Sequence, residues 1–159
     1  MTSHARKVSL HFSLMTVNVR FGLADSGTHS WENRKQAFAA LLTDWRPDFI
    51  AMQEVNDFQA TFFKTVLPDY DVIGERLPAP EFWQNVVIFY HRNWQCIKRD
   101  RFFLSHVPTI PSRMVGSRWP RQCVMGIFKQ NDHQVTCINT HFDFTDHVQE
   151  KSARIILDR

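Results

Sequence analysis

Two polar side chains stand directly after apolar runs, where strands would end. Glu54 follows the short apolar run 49–52 after one residue, and Asn18 lies between Val17 and Val19. In open α/β sheets, ligands bind at the carboxyl ends of the strands, so both positions suit a site. A carboxylate there can bind Mg²⁺, which takes one or two such oxygens plus water and substrate phosphate. Alternatively, Glu54 begins the next helix and Asn18 bonds the backbone of a neighbouring loop.

A second polar group follows another apolar segment, where residues 139–143 read Asn-Thr-His-Phe-Asp. His141 and Asp143 are two residues apart and therefore face the same side if the strand continues. A histidine beside a carboxylate is held in one tautomer and presents its other nitrogen to a phosphoryl oxygen. Two alternatives remain open. The pair is a surface feature without chemistry, or it binds a transition metal together with His147, although that spacing matches no standard ligand pattern.

The third candidate is a group of arginines at the end of a proline-rich stretch, residues 104–120, which predicts a long loop. Arg113, Arg118 and Arg121 surround Trp119. Guanidinium groups bind phosphate well and stack on indole rings, so these residues suit a phosphate-bearing substrate. A solvated loop whose charges serve solubility is the alternative. With only five glycines, the chain has no glycine-rich phosphate loop and no Gly-x-Ser-x-Gly nucleophile motif.

Composition bounds the class of protein. The 159 residues, 43% hydrophobic and 22% charged, are enough for one domain with a real core. No apolar run approaches the roughly 18 residues of a membrane helix, and no signal peptide is predicted, so we expect no membrane span. Three widely spaced cysteines indicate neither a zinc site nor a disulfide framework and favour a cytoplasmic location. The net charge of +3 permits a polyanionic substrate without requiring one.

The pattern of apolar and capping residues predicts an α/β protein. Strands are predicted over residues 10–19, with burial on both faces or a bulge, and over 49–52, 86–90, 95–103, 122–128 and 134–140. A first helix is predicted from Ser30 to about Trp45, with an apolar stripe that includes Leu41 and Trp45. A second helix is capped by Asn56 and stops at residue 68, and a last one starts near residue 146.

Taken together, these segments resemble the endonuclease/exonuclease/phosphatase superfamily, and within it the bacterial relatives of metal-dependent phosphodiesterases. The resemblance rests on four landmarks in the correct order, which span nearly the whole chain. They are Val-Asn-Val-Arg at 17–20, Arg-Pro-Asp-Phe-Ile-Ala-Met-Gln-Glu-Val at 46–55, Asn-Thr-His-Phe-Asp at 139–143 and Ser-Ala-Arg at 152–154. The fold that the resemblance implies is a four-layer α/β sandwich, in which two mixed sheets pack face to face and the site lies at one rim.

The resemblance also implies roles for individual residues. Glu54 would bind Mg²⁺, with Mn²⁺ as a possible substitute, and Asn18 would orient that carboxylate or contact the scissile phosphate. His141 would donate to a non-bridging phosphate oxygen, and Asp143 would support it. Arg121, and with it Arg118, would contact the substrate phosphate. The implied reaction is an in-line attack of water on a phosphoester, whose organic part is a nucleic acid or a phosphorylated small molecule or lipid.

One departure from the family pattern is large. The family's later motifs, Gly-Asp-x-Asn and Ser-Asp-His, occur nowhere in the 159 residues. We therefore expect residues 1–159 to form a single truncated domain, the first half of the fold, which is inactive or nearly so by itself. The alternatives are a degenerate module that binds a protein or a phosphorylated ligand, and a basic nucleic-acid binder. The presence of all four polar residues, Asn18, Glu54, His141 and Asp143, favours the enzyme, because polar groups near a core are costly.

Overall fold

The computed structural model describes residues 11–159, which form seven strands and three helices. The strands are β1 (Leu14–Asn18), β2 (Phe49–Val55), β3 (Tyr70–Ile73), β4 (Asn85–His91), β5 (Gln95–Phe103), β6 (Gln122–Gln130) and β7 (His133–Thr140). The helices are α1 (Trp31–Trp45), α2 (Asp57–Val66) and α3 (Asp146–Leu157), with one 3₁₀ turn (Gly27–His29) before α1. Among the helices of this described part, none combines the length and the apolar character that crossing a membrane requires.

The strands form two sheets. The first has the order β1-β2-β4-β3, in which β1 and β2 are parallel and the other neighbours are antiparallel. The second is an antiparallel meander of β5, β6 and β7. A tight turn at Asn131, whose φ is 53°, joins β6 to β7 as a β-hairpin. The α/β class is confirmed, with a mixed sheet and a second sheet beside it.

Three apolar clusters define four layers. One cluster, which includes Leu42 and Phe63, lies between α1 and α2 and the outer face of the four-stranded sheet. A second cluster lies between the two sheets, where the ring of Phe128 is 4.9 Å from that of Phe49, measured between centroids. A third, smaller cluster packs α3 against the three-stranded sheet through Ile156. Each sheet thus buries one face against the other sheet and at least part of its second face against a helix.

The predicted starts of the first two helices are confirmed, although the Ser30 side chain makes no capping hydrogen bond. The second helix begins after Asn56, whose side chain forms a reciprocal capping box with Gln59. The first helix follows Ser30 and ends where Arg46 adopts a left-handed conformation, with a φ of 41°. The apolar stripe predicted for α1 is wrong at its end. Trp45 is 73% exposed, because the helix stops at that residue and none of the elements within residues 11–159 covers it.

The prediction for residues 10–19 is also wrong in one respect. Residue 10 lies outside the described residues, and the strand itself begins at Leu14. Instead of burial on both faces, the strand alternates, with Met15 and Val17 packed toward the helices and Leu14 55% exposed. The reason is the place of β1 within its sheet. β1 is an edge strand of its sheet, and among the described residues only its helix-facing side chains join a core cluster.

A buried amide joins the two sheets near one rim. The Asn139 side chain, on β7, donates to the carbonyl oxygens of Met52 on β2 (2.9 Å) and Val87 on β4 (2.8 Å). Its own oxygen accepts a hydrogen bond from Gln53 at 2.7 Å. All of these groups are buried, so each hydrogen bond is made away from competing water. This bridge sets β7 against the centre of the four-stranded sheet.

The Asn139→Ala variant tests the importance of this bridge. Removal of the amide leaves the buried Gln53 side chain without its acceptor and two carbonyls without a donor, which should cost about 2–4 kcal/mol of the free energy of unfolding. Urea unfolding followed by circular dichroism measures the loss. Thr136→Ala, on the exposed face of the same strand, is the matched control and should change stability little. Equal stability of the two variants would contradict this account.

Candidate active site

The predicted site residues come together at one rim of the two sheets. Asn18 is the last residue of β1, Glu54 is next to last in β2, and His141 directly follows β7. Arg121 immediately precedes β6, an antiparallel neighbour of β7, so its side chain starts from the same rim. Four segments that are far apart in the sequence therefore contribute to one cluster.

The backbone at Glu54 is unusual. Its φ is 62°, in the left-handed region that non-glycine residues seldom adopt. The pairing of β2 with β4 also shifts register between Met52 and Val55, which marks an irregularity at this point. Such local strain is typical of functional sites, where the surrounding structure holds a side chain in a required direction.

The Glu54 carboxylate is held by two donors. The Asn18 side-chain amide donates to Oε1 at 2.9 Å, and the backbone N–H of Phe21 donates to Oε2 at 2.9 Å. Asn18 is fixed in turn, because its oxygen accepts the Arg20 backbone N–H at 2.8 Å. Burial alone would raise the pKa of Glu54, but the hydrogen bonds from Asn18 and Phe21 outweigh it and hold that pKa below its usual range. The carboxylate is therefore ionised at neutral pH.

His141 lies between Glu54 and Arg121. Its Nε2 is 3.8 Å from Glu54 Oε1, and its Nδ1 is 3.4 Å from Arg121 Nη1. Since the guanidinium can only donate, Nδ1 acts as the acceptor and the ring proton is assigned to Nε2. Burial and the charge of Arg121 lower the pKa of His141, and the opposing effect of Glu54 is smaller. The ring is thus neutral at neutral pH and directs an N–H toward the Glu54 side of the cluster.

Asp143 supports the cluster through Arg121. Its Oδ2 is 3.6 Å from Arg121 Nε and accepts the Ser117 hydroxyl at 2.8 Å, while Oδ1 accepts the Thr145 backbone N–H at 3.2 Å. Among residues 11–159 no hydrogen bond joins Asp143 to His141, so the support that the resemblance implies runs through the guanidinium instead. Burial opposes ionisation of Asp143, but the Ser117 and Thr145 donors and Arg121 lower its pKa overall.

The other loop arginines lie apart from this cluster. Arg118 is exposed, and its guanidinium lies 5.2 Å from the centre of the Trp119 ring. Arg113 donates weakly to the Arg118 carbonyl at 3.4 Å. Neither side chain lines the cavity beside Glu54 and His141, although Trp119 and Arg121 do. Of the two arginines predicted to contact the substrate, only Arg121 is placed beside His141.

A transition-metal site is not formed by the described residues. No group of three or more His, Cys, Asp or Glu side chains within 11–159 is arranged to hold a metal, so His141, Asp143 and His147 do not act together. Glu54 is the one carboxylate among the described residues that line the cavity. A single carboxylate is typical of sites for a hard cation that keeps most of its water ligands.

Sequence reasoning missed two features of the site. Ser117 and Thr145 position Asp143, although isolated hydroxyl residues in loops carry no distinctive pattern. The second feature is a cavity of about 600 Å³ that is shared by the polar cluster and several aromatic side chains. Of these, only Trp119 stands out in the sequence, because the others come from three separate loops.

Known proteins share this fold. A profile of the Endonuclease/Exonuclease/phosphatase family matches residues 15–148, so the chain belongs to that family. A family member from Bacteroides vulgatus has a similar structure, with a TM-score of 0.85 and 24% identity, over 92% of this chain and 59% of its own. No curated protein sequence matches the chain.

Two further solved structures are similar to this chain. A mannosyl-6-phosphatase from Bacteroides thetaiotaomicron has a TM-score of 0.82 and 25% identity, over 93% of this chain and 58% of its own. TDP2 from D. rerio, complexed with a single-strand DNA product, has a TM-score of 0.72 and 13% identity, over 92% of this chain and 53% of its own. The chain therefore spans less than three fifths of the length of these structures.

The Asp143→Asn variant tests the electrostatic support of the cluster. Because the pKa of Asp143 is lower in the folded than in the unfolded chain, its ionised form stabilises the fold at neutral pH. That contribution is lost as the pH falls from the usual range of a carboxyl group through the lower folded pKa of Asp143. The variant should therefore be less stable by about 2 kcal/mol at pH 7, and the difference from the natural chain should shrink toward pH 3.

Urea unfolding at a series of pH values measures this difference. Asp44→Asn, at an exposed position of α1, is the control and should show a small difference that does not follow the same pH course. A destabilisation by Asp143→Asn that stays constant from pH 7 to pH 3 would show that ionisation of Asp143 is unimportant.

Proposed function

We propose that the protein hydrolyses phosphoesters with the help of a divalent cation bound at Glu54. The observation that carries the proposal is the continuous cluster in which Asn18 holds Glu54, His141 lies 3.8 Å from that carboxylate, and Arg121 contacts His141. An ionised carboxylate next to a neutral N–H donor and a guanidinium suits a cation and a phosphate bound side by side. Membership of the family supports the same reaction class.

The residues present fit Mg²⁺, or Mn²⁺ in its place. Glu54 is ionised and lines an open cavity, and both of its oxygens are oriented by outer donors, as is usual for ligands of a bound metal. When bound, the cation would polarise a phosphoryl oxygen and lower the pKa of water. Mg²⁺ commonly takes only one or two carboxylates, so one ligand from this part of the chain agrees with that preference.

The chain's own residues would bind and orient the phosphate. His141 would donate its Nε2–H to a non-bridging oxygen, a bond that strengthens as charge develops in the transition state. Arg121 would hold that tautomer through Nδ1 and add positive charge. Asn18 would act as a positioning residue that keeps the carboxylate in place. Asp143, at 3.6 Å from Arg121, would fix the guanidinium.

Activation of water needs a further group. Of the carboxylates described near the cluster, Asp143 is saturated with donors, and Asp25 is paired with Arg20. His141 already uses Nδ1 as an acceptor. We therefore propose that residues 1–159 are one part of a single catalytic domain, and we expect little or no turnover from them alone. We also propose a cytoplasmic location, since the three cysteines are free thiols.

The similar structures leave two substrate classes. One is a mannosyl-6-phosphatase and another holds a single-strand DNA product, so a sugar phosphate and a polynucleotide are both compatible with the fold. For the present chain, the shared element is a phosphoester of which one phosphoryl group reaches Glu54, His141 and Arg121.

The Glu54→Gln variant tests the cation site. Loss of the charge should weaken Mn²⁺ binding to residues 1–159 by about tenfold or more, because a neutral amide is a poor ligand for a hard cation. The electron paramagnetic resonance signal of free Mn²⁺ measures the affinity without any need for turnover. Competition with Mg²⁺ then gives the affinity for the expected natural ion.

The Glu32→Gln variant, on the exposed surface of α1, is the matched control and should bind Mn²⁺ as the natural chain does. Unchanged Mn²⁺ affinity in Glu54→Gln would overturn the assignment of the cation site. If Mn²⁺ and phosphate bound but a protein carrying the complete family domain gave no turnover, the non-catalytic binding module would be the better account.

A further inference from the structure

The polar cluster occupies only part of its cavity. Glu54, Arg121 and His141 line a space of about 600 Å³, which lies within the size range of pockets for small organic ligands and is much larger than one phosphate group. Half of the remaining lining residues are aromatic and form what we call the aromatic wall: Phe21, Phe82, Trp83, Trp119 and Phe144. The substrate therefore has room for a sizeable organic group next to the phosphate.

Two of these rings, those of Phe82 and Trp119, are not explained by packing in the core. Phe82 is 69% exposed and Trp119 is 55% exposed, and they come from two different loops, before β4 and before β6. Large apolar side chains that are exposed together beside a polar cluster mark a binding surface rather than a random feature of the exterior. Their proximity to His141 and Arg121 in one cavity ties this surface to the phosphate position.

The wall is also held in place. The Trp83 indole N–H donates to Asn85 Oδ1 at 3.1 Å, and the backbone carbonyl of Trp83 accepts a hydrogen bond from the Asn56 side-chain amide at 3.1 Å. The Ser117 Oγ lies 2.7 Å from the Trp119 carbonyl oxygen and 2.8 Å from Asp143 Oδ2, so its single proton is shared between these two acceptors. A wall that is ordered before binding avoids part of the entropy cost of capturing a ligand.

The polar groups of the cavity suit a planar aromatic ring better than a sugar. Apart from the three residues of the phosphate cluster, the described residues lining the cavity offer only Gln84 and Gln122 as polar side chains, and the Gln122 amide already donates to the Gln84 carbonyl at 2.7 Å. A hexose has several hydroxyl groups that each need a partner when removed from water. The faces of a planar aromatic ring need none and stack well on aromatic side chains.

We infer that the organic group esterified to the phosphate carries a planar aromatic ring, a nucleobase or an aryl group, which stacks on Trp119 and Phe82. The inference rests on the proposed function for the position of the phosphate. It selects among the substrate classes that the fold leaves open, because the cavity offers the hydroxyl groups of a sugar phosphate few polar partners.

Isothermal titration calorimetry of residues 1–159 with Mg²⁺ tests the inference. Thymidine 5′-monophosphate should bind about tenfold more tightly than inorganic phosphate, which is the effect of stacking one base on an aromatic side chain. Mannose 6-phosphate should bind no more tightly than inorganic phosphate. Phenyl phosphate separates the two ring sources: affinity equal to that of the nucleotide supports a general aryl site, and weaker binding supports a nucleobase site.

Trp119→Ala should remove the tenfold advantage of the nucleotide and leave inorganic phosphate unaffected, and Phe82→Ala should act in the same direction. Trp45→Ala, at an exposed tryptophan outside the cavity, is the matched control and should bind all ligands as the natural chain does. Equal binding of mannose 6-phosphate and the nucleotide, unchanged nucleotide affinity in Trp119→Ala, or no binding of any ligand would overturn the inference.

Free thymidine separates this inference from the proposed function. Binding of thymidine that depends on Trp119, in a protein whose Mn²⁺ affinity does not depend on Glu54, would support the aromatic site and contradict the cation-assisted reaction. The opposite outcome is that phosphate esters bind equally well with and without an aromatic ring, while Mn²⁺ affinity depends on Glu54. That outcome would support the cation-assisted reaction and contradict the aromatic site.

Discussion

The buried amide of Asn139 is the interaction on which the geometry of the site depends. It is bonded to β2 and β4 at once and accepts from Gln53, so it fixes the distance between the two sheets at their rim. Gln53 immediately precedes Glu54, and Asn139 lies two residues before His141. The 3.8 Å separation of His141 and Glu54 is therefore set by a hydrogen-bonded bridge in the interior rather than by flexible loops.

Beside this bridge, four side chains of different charge lie next to one another in a row. Glu54 is negative, His141 is neutral and polar, Arg121 is positive and Asp143 is negative, and each lies within 4 Å of the next. Such a sequence allows buried ionisable groups to keep their charges, because every charge faces a partner or a donor. It also leaves the His141 N–H and the Glu54 oxygens directed to the cavity, where an anionic ligand and a cation would meet.

The aromatic wall and the polar cluster are one physical unit. The Ser117 hydroxyl lies within hydrogen-bond distance of both Asp143 and the Trp119 carbonyl, so the loop that carries the ring is fixed to the carboxylate that supports Arg121. The orientation of the polar cluster and the shape of the neighbouring pocket are thus coupled. This coupling gives a physical reason why the long loop before β6 lies beside the site.

The sequence by itself determined the α/β class, the helix starts at Ser30 and Asn56, and the residues of the polar cluster, since capping, periodicity and local motifs are short-range properties. Only the tertiary structure decided the remainder. The exposure of Leu14 and Trp45 depends on which element covers them, and the choice of Arg121 over Arg118 depends on where a long loop returns. The aromatic wall depends on four loops meeting at one rim, a long-range arrangement that no local pattern encodes.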